Sequence, residues 1–290
     1  MLFQLVLSGI AQGSIYALVA LGMTILFRAT TIVNFGHGEF FMLGAFLVYV
    51  LLHVVGLPFL PAALLAIVLM FLLGMGLERG LFRPMGESAP HISLAMMTVA
   101  FSFLFRGIAR LFWGREVYPM PSVFSYPPIE VAGLIVTSQD LIIAGTTLLL
   151  VLLFFVFFRY TRLGRLAQAT SQTARGASLV GINVPLVHGG MWGTAAAIGA
   201  IAGILVAPIT LLYPDMGGQI LIRSFAAMTL GGFGHLGGAV VGGLLMGVME
   251  QLAGGYISTA LIDIFAFLVI IVVLLVKPSG LFGRREAAHV

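Results

Sequence analysis

The sequence predicts an all-α, polytopic integral membrane protein, and three observations carry that prediction. Of 290 residues, 60% are hydrophobic and 8% are charged, with a mean hydropathy of +1.14. A soluble domain carries about 25% charged residues; here 14 Lys and Arg plus 10 Asp and Glu are too few to coat a globule. The apolar residues, 60% of 290 or about 174, would fill about nine spans of ~20 residues each. A soluble enzyme, a disordered chain and a nucleic-acid binder are thereby excluded. Cysteine is absent, so no disulfide, thiol nucleophile or Cys metal site is expected.

Apolar runs fall near 2–27, 36–54, 58–79, 92–112, 139–158, 186–212 and 257–276. The first lacks a basic leader and an A-x-A cleavage site, and reads as a span rather than a signal peptide. The stretch 219–255 is too long for one crossing. It is interrupted by Gly231, Gly232 and Gly234, then by Gly237 and Gly238. Glycine pairs at membrane depth are tolerated where other protein covers the backbone. The expectation is two short crossings, 219–232 and 236–254, meeting at a tight glycine turn.

Basic residues orient the chain. Arg159, Arg162, Arg165 and Arg175 crowd the loop after the fifth span, which the positive-inside rule places in the cytoplasm. Arg28, Arg79 and Arg83 then also fall inside, and the N-terminus outside. Lys277, Arg284 and Arg285 fall inside only if 219–255 crosses twice. Nine crossings are therefore preferred over eight. Arg106, Arg110 and Arg115 are the exception, lying in the outer half or outside. The segment 114–138, with Pro119, Pro121, Pro127 and Pro128, reads as an ordered external loop. Residues 1–290 form a single membrane domain.

A weak internal repeat accompanies this count. Phe35-Gly36-His37 recurs as Phe233-Gly234-His235, and Gly80-Leu81-Phe82 as Gly280-Leu281-Phe282. Under nine crossings both copies run in the same direction, a known transporter plan; chance matches in a chain this rich in Gly and Phe are the alternative.

No phosphate-cradling G-x-x-x-x-G-K-[ST] loop occurs, and no His spacing suggests a metal. Any nucleotide energy must come from another subunit. Four stretches, taken together and in order, are similar to the permease subunit of branched-chain amino acid ABC importers, the LivH type. They are Gly13–Gly22 with Asn34–Gly44, then Thr161–Arg165 running on to Leu179–Asn183. The others are Ala226–Gly232 with Gly238–Gly243, and Lys277–Gly283. The resemblance spans nearly the whole chain. It implies a partner permease of related but distinct sequence and two cytoplasmic ATPases that bind ATP and Mg. It also implies an external solute-binding protein and a bacterial inner-membrane location. This chain itself would hold no cofactor and catalyse no bond chemistry.

The segment 160–185 is the expected ATPase-coupling element. The resemblance places the docking contact at Arg175, Ala177, Leu179, Val180, Gly181 and Ile182; the plainer reading is a basic loop that fixes topology. The family usually has acidic residues near Gln172 and Thr173, so an ionic contact there is not expected. Asn34, His37 and Glu39 open the second span and are candidates for the translocation path or its gate. Alternatively, Asn34 caps the helix and Glu39 complements its dipole. Gly232, Gly234 and His235 are candidates for the same path, because broken helices expose N–H and C=O groups that suit a zwitterion. The family usually has Ser at position 235, so His235 either changes selectivity or bonds a neighbouring carbonyl.

Arg106 and Arg110 share one helical face and, with Arg115, could meet acidic residues of the binding protein; snorkelling to headgroups is the alternative. Arg223 is expected to pair with Glu250 or Asp263, since an unpaired charge in lipid is costly. Gly9, Gly13, Gly22, Gly190, Gly193, Gly199 and Gly203 read as helix-packing positions. An ion-coupled secondary transporter and a passive channel for a solute such as urea are the rival functions. Within the importer reading, urea, short amides and aromatic acids are alternative substrates.

Overall fold

The computed structural model describes residues 1–86, 89–121, 127–131 and 134–283. Arg284 and Arg285 lie outside them. Eleven α-helices are found among the described residues. They are α1 (Leu2–Thr30), α2 (His37–His53), α3 (Phe59–Leu77), α4 (His91–Trp113) and α5 (Ser138–Tyr160). Then come α6 (Arg162–Gln172), α7 (Ala174–Leu179), α8 (Val184–Thr210), α9 (Met216–Gly231), α10 (Leu236–Tyr256) and α11 (Leu261–Val276). Nine of these fall on the predicted apolar segments, and α6 and α7 occupy the predicted coupling segment. Six, namely α1, α3, α4, α5, α8 and α10, are long and apolar enough to cross a membrane, while α2 and α11 are shorter apolar helices. The polytopic helical class is thus as predicted.

Local chemistry sets the helix ends. Thr137 and Asp140 form a reciprocal capping box at the start of α5, satisfying N–H groups that no helical carbonyl can reach. Thr161, Thr173 and Asn183 accept from the first turns of α6, α7 and α8. A π-helical turn (Glu78–Phe82) and a 3₁₀ turn (Arg83–Met85) finish α3. The loop before α5 holds a two-stranded hairpin, β1 (Ile129–Val131) with β2 (Leu134–Val136), and Tyr118 bridges to Leu212.

The core is a seam of small residues. Gly9 and Gly13 of α1 lie against Val248 and Leu244 of α10, and Gly243 and Gly247 lie against Ala17 and Gly13. Such close backbone approach replaces the hydrophobic driving force that lipid does not supply between helices. Gly193 receives the Phe71 ring, Gly199 receives Phe40 and Gly22 receives His37. Gly190 faces open space and is not a packing position, contrary to expectation.

Two predicted features need correction. Helix α10 runs unbroken over 21 residues, about 31 Å at 1.5 Å per residue, and is not a short crossing; only α9 is short. The glycine turn 232–235 is not at mid-depth. It packs on Phe27 and Arg28 at the end of α1 and shares a cavity with Gln168 and Ser171 of α6. Leu281 and Phe282, beyond α11, donate backbone hydrogen bonds to the last carbonyls of α9, Leu230 and Gly231.

The second helix also departs from expectation, because it does not start at the end of the bundle. Thr31 adopts a left-handed conformation (φ 56°) and turns the chain back inward, so that α2 starts beside Gly22 of α1. The same device recurs after α8. Leu211 (φ 65°) turns the chain back, and α9 starts inside. Since α8 begins at the end where α1 stops, the two long-helix, short-helix pairs run in opposite senses.

Candidate functional site

The two re-entrant turns bring the N-termini of α2 and α9 together. Gly38 of α2 and Gly217 of α9 lie backbone against backbone, with no room for a Cβ on either. From this contact α2 runs toward Trp113 and Tyr118, and α9 runs the opposite way toward Ser279 and Gly283. Their lengths of 17 and 16 residues give about 26 and 24 Å. Two short helices thus meet head to head inside the bundle, with both positive dipole ends at one place.

Acidic and basic side chains gather there. Glu39, in the first turn of α2, is 2% exposed. Its Oε1 accepts from Ser102 Oγ at 2.9 Å and Arg106 at 2.7 Å. Asp215 stands at the N-cap position of α9 but makes no side-chain cap bond. Its Oδ1 instead accepts from Arg110 at 2.6 Å and lies 3.6 Å from Arg106. Arg106 and Arg110, one turn apart on α4, therefore clamp a carboxylate from each short helix. Glu39 is buried and the Arg106 side chain 24% exposed; the Arg110–Asp215 pair is 40% and 46% exposed. A charged pair open on the flank of an apolar bundle must face water or another protein, because lipid would penalise it.

The sequence placed Asn34, His37 and Glu39 in one cluster, and the structure separates their environments. Asn34 turns the re-entrant segment by accepting from Gly36 N–H at 2.9 Å. His37 is fully buried against Gly22 and edge-on to Phe40, with no hydrogen-bond partner on either ring nitrogen. Glu39 reaches α4 instead of His37. Ser102 and Asp215 escaped the sequence reading. A signal was present: Asp215 sits in Tyr-Pro-Asp-Met-Gly-Gly, a helix-start pattern as glycine-rich as Phe-Gly-His-Gly-Glu around His37.

Gly232, Gly234 and His235 lie far from this junction. Gly232 (φ 105°) and Gly234 (φ 74°) shape the turn. His235 Nδ1 accepts from Gly238 N–H at 2.8 Å, and its ring stacks on Phe282. Arg106 and Arg110 are engaged within the chain, while Arg115 is exposed. Arg223 pairs with both expected partners, Glu250 at 2.9 Å and Asp263 at 3.6 Å. Among the described residues, no three His, Asp or Glu side chains gather as a metal site requires.

The coupling segment forms two short helices. Helix α6 folds back on α5, with Gln168 donating to the Phe158 carbonyl at 3.0 Å. Ala177 is buried, and Arg175 is exposed. Leu179 and Val180 are 83% and 76% exposed, ahead of a left-handed Gly181 (φ 84°); Ile182 is half-buried. Thr173, where the family usually has an acidic residue nearby, caps α7 through its hydroxyl, accepting from Gly176 N–H at 2.7 Å.

Among the described residues, six membrane-length helices, a head-to-head helix junction lined by charge and a short helix ending in exposed Leu179 and Val180 fit a helical membrane permease. Residues 5–274 match the family described as branched-chain amino acid transport system / permease component, and the chain belongs to it. It is similar to the high-affinity branched-chain amino acid transport system permease protein LivH of Salmonella typhimurium (strain LT2) and of Escherichia coli K12. Identity is 31% to each, over 99% of this chain and 97% of the relative. BraD of Pseudomonas aeruginosa PAO1 is 29% identical over the same shares. Among solved structures, PsaBC from Streptococcus pneumoniae in complex with Fab aligns at 15% identity and a TM-score of 0.45, covering 96% of this chain and 91% of that one. The chain is thus a permease subunit of an ABC importer, a class that works with ATPase and solute-binding partners.

Proposed function

We propose that this chain is one of two membrane-spanning subunits of a bacterial inner-membrane importer for branched-chain amino acids, paired with a related but distinct permease. Two cytoplasmic ATPases bind ATP and Mg, dock on the α6–α7 segment and drive the motion. An external binding protein delivers the solute. The N-terminus lies outside and the C-terminus in the cytoplasm, with nine crossings. This chain supplies a pathway and no bond chemistry.

The observation that carries this reading is the half-exposed Arg110–Asp215 pair at the head-to-head junction of α2 and α9. An amino acid brings one carboxylate and one ammonium. A solvent-screened ion pair holds weakly, so each member is free to exchange its partner for the solute's opposite charge. The Arg106–Glu39 pair behind it, with its carboxylate buried, fixes the geometry, and two helix N-termini add positive potential for a carboxylate. Exposed Leu179 and Val180 support the docking role of α7, because apolar side chains projecting from a polar end call for a partner. Arg115 remains the exposed basic group for the binding protein.

The test is capture of the tagged chain from gently solubilised membranes, with mass spectrometry of its partners. Recovery of a second permease and two P-loop ATPases is expected. Uptake of leucine, isoleucine, valine, urea and an aromatic acid by the reassembled complex then ranks the substrates. Reproducible recovery of this chain alone would overturn the importer reading in favour of a stand-alone transporter or channel.

A further inference from the structure

The corner between α5 and α6 carries cations without counterions. Arg159, Arg162, Arg165 and Arg175 follow one another there, and no acidic residue occurs anywhere in positions 141–214. The ion pairs among the described residues engage Arg83, Arg106, Arg110 and Arg223 instead. Arg159 and Arg165 are exposed, and Arg165 makes one long hydrogen bond, to the Tyr160 carbonyl at 3.4 Å.

Both arginines line a cavity of about 350 Å³ bounded by α5, α6 and α10, within the ~300–1,000 Å³ range of small-molecule sites. Most of the remaining lining is hydrocarbon and ring surface, with Val151, Phe154 and Phe155 of α5 facing Leu236 and Val240 of α10. Gln168 also lines it, but its amide already donates to the Phe158 carbonyl at 3.0 Å. The free cationic donors of the cavity are therefore the two arginines.

The surroundings have the character of a lipid boundary. Leu152, Leu153, Phe155 and Val156 of the membrane-length α5 are exposed, and Tyr160 and Leu163 beside the arginines are each 66% exposed. Outward-facing hydrocarbon that gives way to Tyr and Arg at a helix end marks the level of the headgroups. A soluble anion bound here would leave the apolar walls wet. A zwitterionic phospholipid would bring an ammonium to a region with no carboxylate to receive it. A phospholipid of net negative charge meets both parts of the lining, since guanidinium and phosphate form charge-assisted hydrogen bonds and an acyl chain covers the rest.

We propose that this corner is a binding site for an anionic phospholipid, its phosphate held between Arg159 and Arg165 and one acyl chain lying in the groove between α5 and α10. Because Arg159 belongs to α5 and Arg165 to α6, the bound phosphate ties the two helices together and steadies α6 against the bundle. This inference rests on the chain being a membrane protein and not on the solute it carries.

The full chain, purified in mild detergent and stripped of lipid, is titrated with phosphatidylglycerol, phosphatidylethanolamine and inorganic phosphate, and bound lipid is counted by native mass spectrometry. One tightly held phosphatidylglycerol is expected, with weaker retention of phosphatidylethanolamine and no competition from inorganic phosphate. Arg159→Gln and Arg165→Gln each weaken binding about fivefold, as loss of one basic contact to an anionic headgroup does. Arg162→Gln removes the same charge from an exposed residue outside the cavity lining and leaves binding unchanged. Gly237 lines the groove, and a Cβ there meets only the His235 ring, at 3.5 Å. Gly237→Leu therefore fills the groove without disturbing the backbone and lowers retention. Equal retention of the two phospholipids overturns the proposal, as does an equal loss in Arg162→Gln, which would mean diffuse attraction to charge. Competition by inorganic phosphate would make the site one for soluble anions, and undiminished binding in Gly237→Leu would remove the acyl chain from the groove; either result overturns the proposal as well.

Discussion

Gly38 and Gly217, 179 positions apart in sequence, press their backbones together where α2 and α9 begin. Neither can carry a side chain without separating the two short helices. Gly38→Ala and Gly217→Ala should each cost about 1–3 kcal/mol by overpacking and lower the melting temperature of the purified chain. Gly190→Ala is the control: nothing stands within 4 Å of its would-be Cβ, and a helical Gly→Ala change gains up to about 1 kcal/mol.

Buried and exposed charge pairs should respond differently. Arg106→Leu leaves the Glu39 carboxylate buried and opposed only by Ser102, and should destabilise by about 3–5 kcal/mol. Glu39→Gln with Arg106→Leu should recover much of that loss. Thermal melting in detergent measures both, and a double variant no more stable than Arg106→Leu would contradict the pairing.

At the Arg110–Asp215 pair, the proposed exchange with solute charges predicts a separation of stability from transport. Asp215→Asn should change stability by no more than about 1 kcal/mol, as exposed pairs do, while uptake in the reassembled importer falls sharply. Equal loss of both would make the pair a structural clamp.

Helix α7 should fail to hold its partner when its projecting apolar residues become acidic. Leu179→Asp with Val180→Asp should abolish co-purification of the ATPases and leave the chain inserted. These two are chosen because Ile182 is half-buried. Undiminished co-purification would remove the docking role from α7.

Orientation has its own test. A reporter fused after Val290 should give a cytoplasmic signal if α9 and α10 each cross. A signal from the outer side would reduce the crossings by one.

Much of this architecture was legible because apolar length is a local property. Nine apolar segments could be read from composition alone, and so could the basic loop that became α6 and α7. Arg223 could be matched to Glu250 and Asp263 because few charges were available in that region to share. The depth at which a helix starts was not legible. Thr31 and Leu211 take left-handed conformations that no β-branched or leucine side chain advertises, and these turns carry α2 and α9 inward. The Glu39–Arg106 pair spans 67 residues and depends on that inward start, so no spacing rule could reveal it. The glycine run 231–238 marked the break between α9 and α10, but not its place in the bundle, where Gly234 lies against Phe27 and Arg28 at the end of α1.

The bonds from Leu281 and Phe282 to the end of α9 also impose an order on biosynthesis. The carbonyls of Leu230 and Gly231 acquire these partners only after some fifty further residues, including all of α10 and α11, have been made. Until then the end of α9 lacks these two bonds. The junction of α9 and α10 is therefore completed last, and a product truncated before Leu281 would leave those two carbonyls without these partners even with every earlier helix in place.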